Sequence, residues 1–263
     1  MKSGYVSLSV EGAIATVTLN RPEKMNALPP KAHYELSELF DRLCDQTDVR
    51  VVIVKGNGRA FCAGQDLKDN LTDNVLDLPS TGFAGLTWRD DYPLPLIAAV
   101  NGAAMGGGFE LALACDLIIA SEAAYFALPE PKVGWAALGG GVQRLPRTIG
   151  IKRAMGIILT GRLVSAQEGL ELGFVNQVVP AEQLSEASLN WARQIAECAP
   201  LAIRCSKQVA YASQDQPDFT TAINPDSYSS SRAMLDSEDA IEGRRAFSEK
   251  RPPVWRSGRS TSS

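Results

Sequence analysis

The chain has 263 residues, 45% hydrophobic and 21% charged, long enough to bury roughly three quarters of its unfolded surface in one or two cores. Its net charge of -4 and pI near 5.2 argue against general nucleic-acid binding. Five cysteines (Cys44, Cys62, Cys115, Cys198 and Cys205) have no CxxC or zinc spacing and read as reduced thiols of a cytoplasmic protein; no signal peptide is visible.

Residues 6–19 read as two short strands around the Glu11-Gly12 turn, with Ile14, Val17 and Leu19 apolar. A loop follows over 20–28. Pro29 and Pro30 open a helix to about Cys44, with Leu36, Leu39, Phe40 and Leu43 on one face. Residues 49–55 form an apolar strand of the buried, parallel kind. Gly56-Asn57-Gly58 then turns the chain toward 60–64. The span 69–92, rich in Asp, Gly and Pro, has weak periodicity and reads as a mobile surface segment, a candidate substrate lid. Residues 96–100 are another buried strand, followed by a glycine turn, a helix to about Ala114 and an apolar strand over 116–120. The whole stretch 94–120 is long enough to cross a bilayer, but Asn101, Glu110, Asp116 and its glycine-rich centre argue for buried elements of a water-soluble protein. Alternating strands and helices imply an α/β fold with parallel pairing.

From Gly150 onward helices dominate, over 151–160, 165–172, 183–198 and 200–212, with a short strand at 175–179. Ser165 followed by Glu168 is a capping-box signature. No linker is obvious. The expected organisation is a core over 1–200, a C-terminal helical region over 201–256 and a disordered Ser/Gly-rich tail over 257–263.

The stretch Asn101-Gly102-Ala103-Ala104-Met105-Gly106-Gly107-Gly108-Phe109-Glu110 places three glycines before a carboxylate. A helix starting there offers bare N–H groups to an anion, with an acid within the next turn. A second acid, Glu130, follows the apolar run Phe126-Ala127-Leu128 and Pro129. A glutamate among apolar residues is seldom there for packing, since burying it alone is costly. The single histidine, His33, excludes most Ser-His-Asp, Cys-His and multi-histidine metal mechanisms, and reads as a surface or partly buried helix residue. Gly56-Asn57-Gly58 is too short for a dinucleotide fingerprint, and no GKS or GKT occurs. Glu110 and Glu130 are therefore candidates for a general acid and base pair. Gly107 and Ala63, each after a buried strand, are candidate backbone donors to an anionic oxygen. The alternative is that both glycine segments are tight turns and both acids line solvent.

Several strings together resemble the enoyl-CoA hydratase/isomerase (crotonase) superfamily over nearly the full length. They are Asn20-Arg21-Pro22-Glu23-Lys24-Met25-Asn26-Ala27-Leu28, Ala60-Phe61-Cys62-Ala63-Gly64-Gln65-Asp66-Leu67, Ile97-Ala98-Ala99-Val100-Asn101-Gly102, Gly106–Glu110 and Leu159-Thr160-Gly161. The resemblance implies the α/β spiral of ββα units, C-terminal helices in trimer contacts, and commonly a hexamer of two trimers. It implies an acyl-CoA thioester substrate, with coenzyme A belonging to the substrate, and no separate cofactor, metal, nucleic-acid or membrane partner. The family's oxyanion hole falls on the N–H groups of Ala63 and Gly107. Its two water-handling acids fall on Glu110 and Glu130, the first taking the water's proton and the second supplying the α proton. Isomerases and hydrolases of the superfamily often lack one of the pair, which favours reversible hydration of a 2-enoyl-CoA.

Lys24, Ala27 and Leu28 match the loop that contacts the nucleotide part of CoA, and Gly64, Gln65, Asp66 and Leu67 extend the expected binding set. Arg244, Arg245, Lys250 and Arg251 form a basic patch for CoA phosphates or a solvated helix face. The segments Gly106–Glu110, Phe126–Glu130 and Ser237–Gly243 followed by Ala246-Phe247 look like the carnitinyl-CoA dehydratase (crotonobetainyl-CoA hydratase) branch. This chain departs at Trp135-Ala136-Ala137-Leu138-Gly139-Gly140-Gly141, a segment that lines the acyl pocket in relatives, so Trp135 is expected to narrow or flatten that pocket. The alternatives are that dehydratase, an enoyl-CoA isomerase, an acyl-CoA hydrolase, and a CoA- or RNA-binding scaffold without activity.

Overall fold

The computed structural model describes residues 4–66 and 77–256. In chain order the elements are β1 (Val6–Glu11), β2 (Ile14–Leu19), α1 (Pro30–Asp45), β3 (Val51–Gly56), β4 (Ala60–Cys62), β5 (Leu96–Val100), β6 (Ala103–Met105) and α2 (Gly107–Ala114). Next come β7 (Leu117–Ser121), β8 (Tyr125–Ala127), α3 (Gly141–Ile149), α4 (Ile151–Ile158), β9 (Val164–Ser165), α5 (Ala166–Leu172), β10 (Gln177–Val179), α6 (Leu184–Ala196), α7 (Pro200–Ala212), α8 (Phe219–Ile223), α9 (Ser229–Leu235) and α10 (Glu238–Glu249).

Among the described residues the strands make two sheets, ordered β1-β2-β3-β5-β7-β10 and β4-β6-β8-β9. The first hairpin, β1 on β2, is antiparallel; β2-β3, β3-β5, β5-β7 and β7-β10 are all parallel. The apolar runs of β3 and β5 are buried because both faces of the large sheet are covered. One side meets α6, and the other joins the main core with α1, Phe61, Phe109 and Phe126.

The second sheet has no counterpart in the sequence reading. Its strands are two or three residues long, too short for a period-2 pattern to register. It nonetheless sets the site, because β4 and β6 pair in parallel and lead into the 63–66 strip and the 106–108 glycine turn. The Ser165 cap is present, its hydroxyl accepting the Glu168 N–H at 3.1 Å.

The mobile surface segment expected over 69–92 is corrected over its described part, since 69–76 lie outside the described residues. Phe83, Ala84, Leu86, Thr87 and Tyr92 are buried. A short 3-10 turn at Phe83–Gly85 lies so close to α1 that a side chain on Gly85 would strike the Ser37 backbone. The glycines that blur periodicity here permit close packing. The tail expected over 257–263 also lies outside the described residues. No described helix is long and apolar enough to cross a membrane, and none of the five cysteines is in a disulfide.

Candidate active site

Glu110 lies in the first turn of α2, its backbone N–H bonded to the Gly106 carbonyl at 3.0 Å. Its side chain is inside the protein, with the residue 5% exposed, and its Oε1 accepts the Gly141 N–H at 2.9 Å. The segment that departs from the family pattern explains how this contact is made. A methyl group on Gly139 would lie 2.5 Å from Glu110 Oε2, and one on Gly141 would lie 3.1 Å from Oε1. Glycine at both places lets the backbone reach the carboxyl. Burial pushes the Glu110 pKa up to about 7, with the Gly141 N–H opposing and the charge of Glu130 adding to the rise.

Glu130 opens the 3-10 turn Glu130–Val133 that follows β8. Its Oε1 would be 2.9 Å from a Cβ on Gly106, while Oε2 is buried and without a partner among the described residues. Burial raises this pKa as well. Both acids thus border the same glycine turn, Glu110 buried and Glu130 half-buried. A buried carboxylate oxygen without a donor is costly, so it is expected where a reaction needs it.

The backbone donors differ from the expectation in one place. The Ala63 N–H donates to the Met25 carbonyl at 3.0 Å, so it is not free to hold a substrate oxygen. The cause is Met25, whose left-handed backbone, φ 51°, turns its carbonyl onto this strip. Further along, Gly64 N–H faces Cys62 Sγ at 3.4 Å and Asp66 N–H donates to Leu28 O at 3.0 Å. Gln65 N–H, between them, has no acceptor among the described residues, and neither has Gly107 N–H at the start of α2. The two free donors are neighbours across the β4-β6 pairing. A Cβ on Gly64, which has φ 93°, would lie 3.3 Å from Gly107 N. The N–H expected to be free at Ala63 is therefore taken, and the free one on this strip is that of Gln65.

Phe83 covers the other side of Gly107, where an added Cβ would meet its ring at 2.7 Å. The lone histidine is fully buried on α1 and stands 4.7 Å from the Phe83 ring, centroid to centroid. Periodicity carried no sign of either contact. The signals present were the glycines flanking Phe83 and the carboxamide at Gln65, which with Asp66 follows the apolar run 60–63 and Gly64.

The expected CoA-binding residues divide. Leu28 pairs with Gln65 as an isolated parallel bridge, which brings Ala27 and Leu28 beside the 63–66 strip. Lys24 is exposed on the short turn Pro22–Lys24 of the same loop. Asp66 is held by Arg21 at 3.1 Å, and Arg21 also donates to the Ala27 carbonyl at 2.9 Å, so Asp66 straps the loop in place. Leu67 lies outside the described residues. Trp135 is 48% exposed, and its backbone N–H donates to the Glu130 carbonyl at 2.9 Å. In the C-terminal patch, Arg251 is committed to Glu242 and Glu249 at 2.6 Å each, and Arg244 Nε donates to the Ala240 carbonyl at 3.0 Å. Two of its four cations thus serve α10 itself, nearer the solvated-face reading.

One glycine turn thus gathers a buried carboxyl, a half-buried carboxyl and two N–H groups without acceptors among the described residues. Comparison with known proteins gives the class. The Enoyl-CoA hydratase/isomerase family model matches residues 9–258. A carnitinyl-CoA dehydratase of Salmonella enteritidis is 42% identical over 259 residues, covering 97% of this chain and 99% of that protein. One from Citrobacter koseri is 42% identical over 250 residues, covering 93% and 95%. Among solved structures, enoyl-CoA hydratase from Mycobacterium tuberculosis superposes with a TM-score of 0.90 at 35% identity, covering 97% of this chain and 100% of that one. Enoyl-CoA hydratase from Bacillus anthracis gives 0.89 at 35% identity, covering 96% and 99%. The chain belongs to the enoyl-CoA hydratase/isomerase family, and its fold is the crotonase fold.

Proposed function

We propose that this protein catalyses the reversible hydration of a 2-enoyl-CoA to a 3-hydroxyacyl-CoA. The observation that carries the reading is the pairing of buried Glu110 with half-buried Glu130 at the Gly106-Gly107 turn, next to the free N–H groups of Gln65 and Gly107. The thioester oxygen rests on those two N–H groups. Water adds to the β carbon, giving one proton to Glu110, and the electron pair of the double bond moves onto the thioester as an enolate. Glu130 then delivers its proton to the α carbon, and the thioester carbonyl re-forms. Atoms balance: one water is consumed, and one proton has passed from Glu130 to Glu110, to be redistributed before the next turnover. Each oxyanion donor is worth about 3–4 kcal/mol by comparison with other oxyanion holes.

The pair works holding one proton. In the ligand-free chain that proton rests on the more deeply buried Glu110. Dehydration starts from that arrangement and hydration ends in it. The carnitinyl-CoA dehydratase relatives, at 42% identity, support a trimethylammonium-bearing acyl group as the second reading of the substrate. Trp135 belongs to that choice, since its backbone is tied to Glu130 and its half-exposed indole is available to an acyl chain or, through its π face, to a quaternary ammonium. A trimer or a dimer of trimers is part of the proposal; the exposed Phe219, Ile223 and Phe247 support it.

The test is loss of the conjugated enoyl-thioester absorbance with crotonyl-CoA, longer 2-enoyl-CoAs and crotonobetainyl-CoA. Turnover of crotonyl-CoA above crotonobetainyl-CoA supports the first reading, and the reverse supports the second. No turnover of any of them sinks both and favours a hydrolase or a scaffold. Light scattering at three or six times 28.2 kDa supports the assembly.

A further inference from the structure

His33 is fully buried, yet both of its ring nitrogens are engaged with segments that border the oxyanion site. Nδ1 accepts the Ala84 N–H at 3.0 Å. Because a backbone amide can only donate, Nδ1 carries no proton and Nε2 must carry one. Nε2–H therefore donates to Gln65 Oε1, 2.8 Å away, which also fixes which end of the Gln65 carboxamide faces the ring. The opposite end, Gln65 Nε2, is buried and has no partner among the described residues, of which only His33 orients this side chain. The imidazole also stands against Phe83, whose ring covers Gly107. One side chain on α1 is thus tied to both walls of the site. It reaches the Gln65 strip through Nε2 and the Phe83-Ala84 turn through Nδ1. Burial holds the His33 pKa down to about 4, so this bonding pattern persists at neutral pH.

We infer that His33 is a positioning residue, which through Gln65 and the Phe83-Ala84 turn sets the spacing of the two oxyanion N–H groups at Gln65 and Gly107. The inference rests on the hydratase reading above. The Gln65 backbone is already held by Leu28 on both sides, through Leu28 N–H to Gly64 O at 2.9 Å and Asp66 N–H to Leu28 O at 3.0 Å. What that bridge leaves undetermined is its approach to the Gly107 side, and the carboxamide bond to His33 supplies it. A donor pair mispositioned by a fraction of an ångström still binds the ground-state thioester but stabilises the enolate less. The loss is then expected in kcat and not in KM.

The test compares wild type, Gln65→Met, His33→Phe and the double variant. Met keeps the volume and the backbone N–H of residue 65 and removes only the carboxamide; Phe keeps the ring against Phe83 and removes both hydrogen bonds. Two readouts are taken: kcat and KM with the best enoyl-CoA, and the red shift that a bound chromophoric conjugated enoyl-thioester acquires when its carbonyl is polarised. Gln65→Met is expected to lower kcat about tenfold, with KM within about twofold and a smaller red shift. His33→Phe should do the same, and the double variant should be no worse than the worse single one, because both act through one connection. Wild-type kcat and red shift in a folded Gln65→Met, or losses that multiply in the double variant, overturn the role. If His33→Phe does not fold, Gln65→Met alone decides. A wild type that neither turns over an enoyl-CoA nor shifts the chromophore refutes the hydratase reading instead.

Discussion

The floor of the site, around Glu110, and its rim, around Glu130, use the same side chain in opposite ways. At the floor the carboxyl is fixed, because Gly139 and Gly141 let the backbone close on it and the Gly141 N–H bonds to it. At the rim Glu130 stands on a short turn with one oxygen unpartnered among the described residues. The difference teaches that environment assigns the roles. On the hydratase reading, deeper burial favours the proton on Glu110, while Glu130 is left with an oxygen free to meet a substrate.

Removing either acid breaks the comparison outright. Glu110→Gln and Glu130→Gln should each lower kcat by roughly 10³-fold while thioester binding, measured by calorimetry, changes little. Wild-type turnover in both variants would contradict the pairing. Gly139→Ala sharpens it, because a methyl group there would lie 2.5 Å from Glu110 Oε2 and displace that carboxyl. Turnover should fall about 10- to 100-fold, and unchanged kcat would show that the floor is not held as described.

The third effect is on stability. Glu110 keeps its proton to about pH 7 in the fold and loses it near 4.5 in the unfolded chain, so its contribution to stability declines as pH rises between those values. Glu110→Gln abolishes that decline, and relative to wild type the variant should gain about 3 kcal/mol between pH 5 and pH 8 by denaturant unfolding. His33 has the opposite sign. It protonates near 6.5 when unfolded and only at about 4 when folded, so stability is lost as pH falls across that range. As the single histidine, it gives an unambiguous NMR titration, in which the ring should stay neutral from pH 8 to 5.

Much of this was legible in the sequence and some was not, for physical reasons. The long parallel strands and the amphipathic α1 are periodic, and periodicity survives without neighbours. Glu110 and Glu130 announced themselves because a carboxyl in an apolar run demands a reason. The strands of the second sheet are too short to show a pattern. The free N–H at 63–65 lies two positions beyond the expected one because the chain's own Met25 carbonyl takes the Ala63 N–H, a contact 38 residues away in sequence. The glycine-rich spans 77–92 and 139–141 were the hardest. Glycine signals flexibility in a string and close approach in a packed structure, and only the neighbours at Ser37, Glu110 and Phe83 tell which.

The most direct measurement of the central claim is the pH dependence of kcat/KM for the wild-type enzyme in both directions. A carboxyl pair that works with one proton must lose activity when that proton leaves Glu110. The profile should therefore be bell-shaped, with its alkaline limb at about pH 7. Because the net reaction neither takes up nor releases a proton, hydration and dehydration should show the same limb. A profile flat from about pH 6 to 9, in a range where an unperturbed carboxyl would not titrate, would contradict the account.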